Sequence, residues 1–215
     1  IDEKKILNSI SRDNFQREQL NKRLNNLEED DLIIISDLDE IPDLRKIDLK
    51  SVKDEILIFK QKMFYYKFNL CHENFIWHGS KIIKKKHFIS PQWLRNIKNK
   101  KYSFWRFDTY FSKKKYNNIK FIEKGGWHFS YLKEPSGVEK KLKSIRHHIE
   151  YDHNPLGVDK IESLISQKKM IYNYQADQRV KNKFENNEIL EKLEIDKLPK
   201  YIQKNLNLFS KWIDN

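Results

Sequence analysis

The sequence predicts an α/β domain built on a mixed β-sheet flanked by helices. Three observations predict it. The run Leu32-Ile33-Ile34-Ile35 and the segments 55–70 and 74–83 are rich in β-branched and aromatic residues, which favour strands. Segments near both ends of the chain carry apolar residues at helical spacing. Strand-like and helix-like stretches are mixed at the front and helices dominate the back, which fits neither an all-α nor an all-β chain. The 215 residues suffice for one domain with a sizeable core, so a single domain over 1–215 is expected.

The elements follow in order. Phe15, Leu20, Leu24 and Leu27 recur at near-helical spacing, so a helix is expected over 11–29 with Ser11 as its N-cap. A short acidic turn at 28–31 leads into a strand over 32–36, whose unbroken apolar character reads as buried. Pro42 is expected to stop regular structure. One or two strands are expected over 55–70 and another over 74–83, while 87–111 is aromatic and broken by Pro91. Strand structure is expected within 119–132, around Gly125-Gly126-Trp127-His128. Ser136 would cap a helix reaching about residue 151, a second helix is expected over 159–169, and a last one over 198–213 behind Pro199. No internal repeat is visible.

Asp37-Leu38-Asp39-Glu40 is the most informative motif, because three carboxylates emerge directly after the apolar strand. The C-terminal ends of strands are where open α/β sheets bind ligands. Carboxylates this close repel one another unless a cation or a shared proton compensates. Oxygen donors suit magnesium, manganese or calcium rather than zinc. Three readings compete. A plain acidic turn would not need so many carboxylates. A phosphatase-type Asp-x-Asp, whose first Asp attacks phosphorus, also wants a downstream acidic pair, and no Asp-Asp pair follows Asp39. A glycosyltransferase-type Asp-x-Asp holds a metal that stabilises a departing diphosphate.

Two further constellations matter. In Gly125-Gly126-Trp127-His128-Phe129-Ser130-Tyr131 the glycines permit close backbone approach, Trp127 offers a stacking face and His128 a ligating nitrogen. Alone, this block reads equally as a core Trp with a hydrogen-bonded His. On a helix, Lys141, Ser144 and His148 share one face, where a cation and an imidazole suit phosphate. The ordinary reading of that face is a solvated basic surface.

The net charge of +12 suits polyanions or a phosphate-bearing ligand, although abundant Lys, Asn and Ile also read as a compositional bias. The single cysteine, Cys71, excludes an internal disulfide. No apolar stretch has the length of a transmembrane helix.

Together, in this order, the blocks resemble glycosyltransferase family 17, the beta-1,4-mannosyl-glycoprotein 4-beta-N-acetylglucosaminyltransferases. The resemblance rests on Gln16-Arg17, Asp30-Asp31, Ser36-Asp37-Leu38-Asp39-Glu40-Ile41-Pro42, Gly126 to Tyr131, Lys141-Leu142-x-Ser144, His148-x-Glu150 and Leu198-Pro199. It implies a GT-A-type fold, inversion at the anomeric carbon, a nucleotide-sugar donor (UDP-N-acetylglucosamine in the animal enzymes) and a divalent metal, Mn2+ or Mg2+. The family's first strand and part of its nucleotide pocket are expected to precede Ile1.

On that resemblance Asp39 with Asp37 would hold the metal, and Asp37 would alternatively contact the nucleotide. His128 would be a further metal or phosphate ligand. Trp127 would shape the sugar pocket, Lys141 and His148 would neutralise the diphosphate, and Arg17 would reach the nucleotide. Glu40, Glu150 and Asp108 are the candidate bases for the acceptor hydroxyl. The expected partners are the nucleotide-sugar and a glycan acceptor. The expected setting is a bacterial cytoplasm or that of a virus's host, with at most peripheral attachment to a membrane. Two alternatives stand beside this: an inactive sugar-binding relative, and a basic nucleic-acid-binding module using Tyr65, Tyr66, Trp77, Trp93 and Trp105 for stacking. Against nucleic acid, the most ordered motif is acidic and no nucleic-acid-binding signature is present.

Overall fold

The computed structural model describes residues 2–24, 26–103, 105–109, 111–112, 115–144, 151–152, 154–172, 184 and 188–214. Helix α1 (Asp2–Glu18) runs into a 3-10 turn, Gln19–Arg23. Strands β1 (Leu32–Ile35), β2 (Glu40–Pro42), β3 (Ile56–Tyr65) and β4 (Leu70–Lys84) follow. Then come α2 (Pro91–Asn96), β5 (Ile119–Ile122), β6 (Gly126–Ser130), α3 (Pro135–Leu142) and α4 (Val158–Ser166). The described chain closes with β7 (Glu191–Lys192), α5 (Lys200–Lys204) and α6 (Leu206–Phe209).

The strands form a seven-stranded mixed sheet in the order β1-β4-β3-β6-β2, with β5 also on β3 and β7 also on β4. β1 pairs antiparallel with β4, from Leu32 opposite Lys84 to Ile35 opposite Lys81. β3 pairs in parallel with β5 and with β6. The mixed α/β architecture expected from the sequence is therefore present.

The chain divides into two compact units, each discontinuous in sequence. One comprises Ile1–Ser9, Lys62–Ile76 and Trp127–Asn215; the other comprises Ile10–Gln61 and Trp77–Gly126. In the second unit Ile56 and Ile58 pack with Ile33, Ile35, Ile83, Leu94 and Ile97. Leu57 and Phe59, on the opposite face of β3, pack with Val52, Ile82 and Ile122. This period-two division means both faces of β3 are covered over Ile56–Phe59, which explains that unbroken apolar run. In the first unit Phe64, Cys71 and Phe129 pack with Leu198 and Ile202. Burial pushes the Cys71 thiol up to about 12, so it stays protonated and inert at neutral pH.

Several expectations are corrected. β1 is not buried on both faces. It ends the sheet order, and Ile34 is 38% exposed while Ile33 and Ile35 face the core. Ser11 lies inside α1 rather than capping it, and the regular helix ends at Glu18. The expected stop at Pro42 holds, because β2 ends on that residue. β2 is the other end of the sheet order, where a missing N–H breaks no ladder. Pro91 begins a helix: it occupies the first turn of α2, and Ser90 Oγ accepts from Trp93 N at 3.1 Å. Ser136 lies inside α3 rather than capping it, Glu134 being the N-cap, and α3 ends at Leu142; 145–150 lie outside the described residues. The expected last helix is split into α5 and α6 at Asn205. Among the described residues no helix is long and apolar enough to cross a membrane.

Candidate active site

The acidic motif forms a tight, heavily bonded turn between β1 and β2. Glu40 N donates to Asp37 O at 3.0 Å, and Asp37 N donates to Glu40 Oε2 at 3.1 Å. Ser36 Oγ donates to Glu40 O at 2.9 Å and lies 2.6 Å from Ser80 Oγ on β4. Leu38, at the tip, is fully exposed, and Asp39 is half-buried.

Arg95, on α2, organises the carboxylates. Its Nη2 is 2.7 Å from Asp37 Oδ2 and 3.1 Å from Glu40 Oε1; its Nη1 is 3.1 Å from Glu40 Oε2 and 3.1 Å from Gly79 O. Trp77 Nε1 donates to Glu40 Oε1 at 2.8 Å. Glu40 thus accepts from four donors, which fills the roughly four lone-pair sites of a carboxylate, and its side chain is fully buried. It is built in as the counter-ion of Arg95, with no oxygen left facing an acceptor. Glycine at 79 matters here, because a Cβ would sit 1.8 Å from Gln61 Oε1.

Arg17 approaches from α1. Its Nη1 donates to Gln92 Oε1 at 3.0 Å, and its Nη2 lies 3.6 Å from Asp37 Oδ1. That is a loose ion pair, beyond hydrogen-bond length. Asp37 Oδ1 accepts no hydrogen bond from the described residues, and the side chain is 37% exposed.

Beneath the clamp lies Lys81, 2% exposed. Its Nζ donates to Arg95 O at 3.0 Å and Ile97 O at 2.6 Å, satisfying carbonyls at the C-terminal end of α2. Burial, with Arg95 nearby, lowers its pKa to about 8, against a smaller upward pull from Glu40.

Gly126 supports β2. It has φ of +126°, and a Cβ there would lie 2.1 Å from Ile41 O and 2.8 Å from Asp43 N. Asp43 N donates to Gly125 O at 2.9 Å. The Arg45 guanidinium, bonded to both Asp43 oxygens, holds the Asp43 carboxyl below the usual range.

The first unit holds the other expected ligands. His128 is 5% exposed, and its Nδ1 lies 2.8 Å from Met63 Sδ. Trp127 packs into the core cluster and donates from Nε1 to Lys197 O at 2.9 Å. Lys141 Nζ sits over the Tyr131 ring, 4.7 Å from its centroid. His148 and Glu150 lie outside the described residues. Asp108 falls in a 3-10 turn, Phe107–Thr109, and its side chain is likewise outside the description.

Of the residues singled out in the sequence, the structure brings Arg17, Asp37 and Glu40 together. It adds Arg95 and Lys81, which sequence reasoning missed, and gives Trp77 a hydrogen-bonding role. The Ser90-Pro91 helix start was the available signal for placing Arg95 on a helix. Among the described residues no three His, Cys, Asp or Glu side chains are gathered as a metal cluster. Compared with family models, with curated proteins and with solved structures, the chain finds no match.

Proposed function

We propose that the chain is an inverting glycosyltransferase that moves a sugar from a nucleotide-sugar donor, UDP-N-acetylglucosamine on the motif resemblance, to a glycan acceptor. The observation that carries this reading is the state of Asp37. Arg95 fixes one of its oxygens at 2.7 Å, while the other accepts no hydrogen bond from the described residues and faces Arg17 at 3.6 Å. A carboxylate held this way is oriented before any ligand arrives, and Asp39 follows it two residues on in the same turn.

These donors suit a magnesium-type cation of a particular kind. Such ions take one or two protein carboxylates and complete their shell with substrate phosphates and water. Asp39 and Asp37 would be those carboxylates, so a three-residue protein cluster is not required. Bound there, Mn2+ or Mg2+ would stabilise the departing diphosphate. Arg95 keeps Asp37 in place through Oδ2, and Arg17 supplies a second positive charge beside Oδ1 for phosphate or nucleotide. The base falls to Glu150 or Asp108, because Glu40 is saturated and buried.

Asp39→Ala is the direct test, read as hydrolysis or transfer of a nucleotide-sugar with and without manganese. Loss of the metal-dependent activity with an unchanged circular dichroism spectrum supports the proposal. Full retained activity would overturn it.

A further inference from the structure

Three large aromatic side chains stand exposed within seven positions: Trp105 at 70%, Phe107 at 67% and Phe111 at 90%. They are not on a fraying end. Arg106 N donates to Ser103 O, Phe107 N to Trp105 O and Thr109 N to Arg106 O, each at 3.0 Å. Thr109 is 3% exposed and donates from Oγ1 to Arg106 O at 2.6 Å. From 103 to 109 the turn is anchored by its threonine and internally hydrogen-bonded, and it leaves Trp105 and Phe107 largely exposed.

Its charge is as one-sided as its surface is apolar. Between 98 and 115 the sequence has seven Lys or Arg and one acidic residue, Asp108. Lys98, Lys100, Lys101 and Arg106 are exposed, and Lys100 Nζ lies 5.3 Å from the Tyr102 ring centroid. Exposed apolar rings set among cations mark an interaction surface rather than a solvated loop.

We infer that this turn docks the protein on an anionic lipid surface. Trp and Phe settle at the boundary between headgroups and acyl chains, while Lys and Arg meet the negative headgroups. A nucleic-acid strand is the competing polyanion, but it stacks its bases on rings set along a groove. Phe111, 90% exposed, presents its ring to solvent rather than along a groove. The attachment is peripheral and independent of the glycosyltransferase reading.

The test is sedimentation of the full chain with vesicles of phosphatidylcholine alone or with one third phosphatidylglycerol. The wild type should bind the anionic vesicles, weaken with salt, and leave neutral vesicles largely unbound. Trp105→Ser/Phe107→Ser/Phe111→Ser should bind about tenfold more weakly or worse, with an unchanged circular dichroism spectrum, because interfacial binding scales with buried apolar area. Lys100→Glu/Lys101→Glu should weaken binding too. No binding by the wild type overturns the inference, and so does a triple variant that binds as well as the wild type. Binding of single-stranded RNA instead of vesicles, lost in the triple variant, would reassign the turn to nucleic acid.

Discussion

The Arg95 guanidinium grips Glu40 with both arms, Nη1 to Oε2 and Nη2 to Oε1, each at 3.1 Å. The pair is close to fully desolvated, at 12% and 0% side-chain exposure. Removing one partner of such a pair leaves an uncompensated buried charge, which costs about 3–5 kcal/mol. Arg95→Met should lower the unfolding free energy by that amount in urea titration. Arg95→Met/Glu40→Gln should cost clearly less than Arg95→Met alone. Equal losses would mean that the pair is not coupled.

Lys81 predicts a pH dependence. Its folded pKa, about 8, lies below the ordinary lysine value, so the unfolded chain holds the proton more tightly. Above about pH 8 and up to the ordinary value, the unfolded state binds more protons than the native one, and stability attributable to Lys81 rises with pH. Below about pH 8 the cost of burying the charge is present in full. Over the whole window the gain is about 3 kcal/mol. Urea midpoints of the wild type minus those of Lys81→Met, from pH 7 to 10.5, should climb with pH. A flat difference would contradict the burial argument.

Gly126→Ala should destabilise strongly. The positive φ disfavours any Cβ, and that Cβ would overlap main-chain atoms of β2, which cannot rotate away. Strain of the φ alone is about 1–3 kcal/mol, and the overlap adds to it. A melting temperature within a degree of the wild type would show that β2 does not pack as described.

Ser90→Ala removes the cap of α2 and should cost about 1 kcal/mol, measurable by thermal unfolding. Because α2 carries Arg95, the same change should weaken any ligand that relies on Asp37, without touching it directly.

Much of the fold was legible and much of the site was not, for physical reasons. β-branched runs reveal strands because the pleated, half-buried surface selects them, so β1, β3 and β4 were visible. The edge position of β1 was hidden, since an apolar run carries no information about how many neighbours it will have. The carboxylates at 37–40 were visible because they are adjacent in sequence. Arg95 was not, because it reaches Asp37 from 58 residues away through α2. The charge that seemed to call for a cation is met in part by that guanidinium. Ser90-Pro91 is a legible helix start; reading Pro91 only as a break concealed the element that delivers the clamp.

The central claim is that the Asp37–Asp39 turn holds a nucleotide-sugar diphosphate. The most direct measurement is the thermal shift of wild type, Asp37→Asn and Asp39→Asn against UDP-, GDP- and dTDP-sugars, with and without manganese. Ligand binding to the native state raises its apparent stability. The account predicts a manganese-dependent rise with one nucleotide class, UDP-N-acetylglucosamine first, that both variants lose. No shift with any donor, or a shift that survives both substitutions, would contradict it.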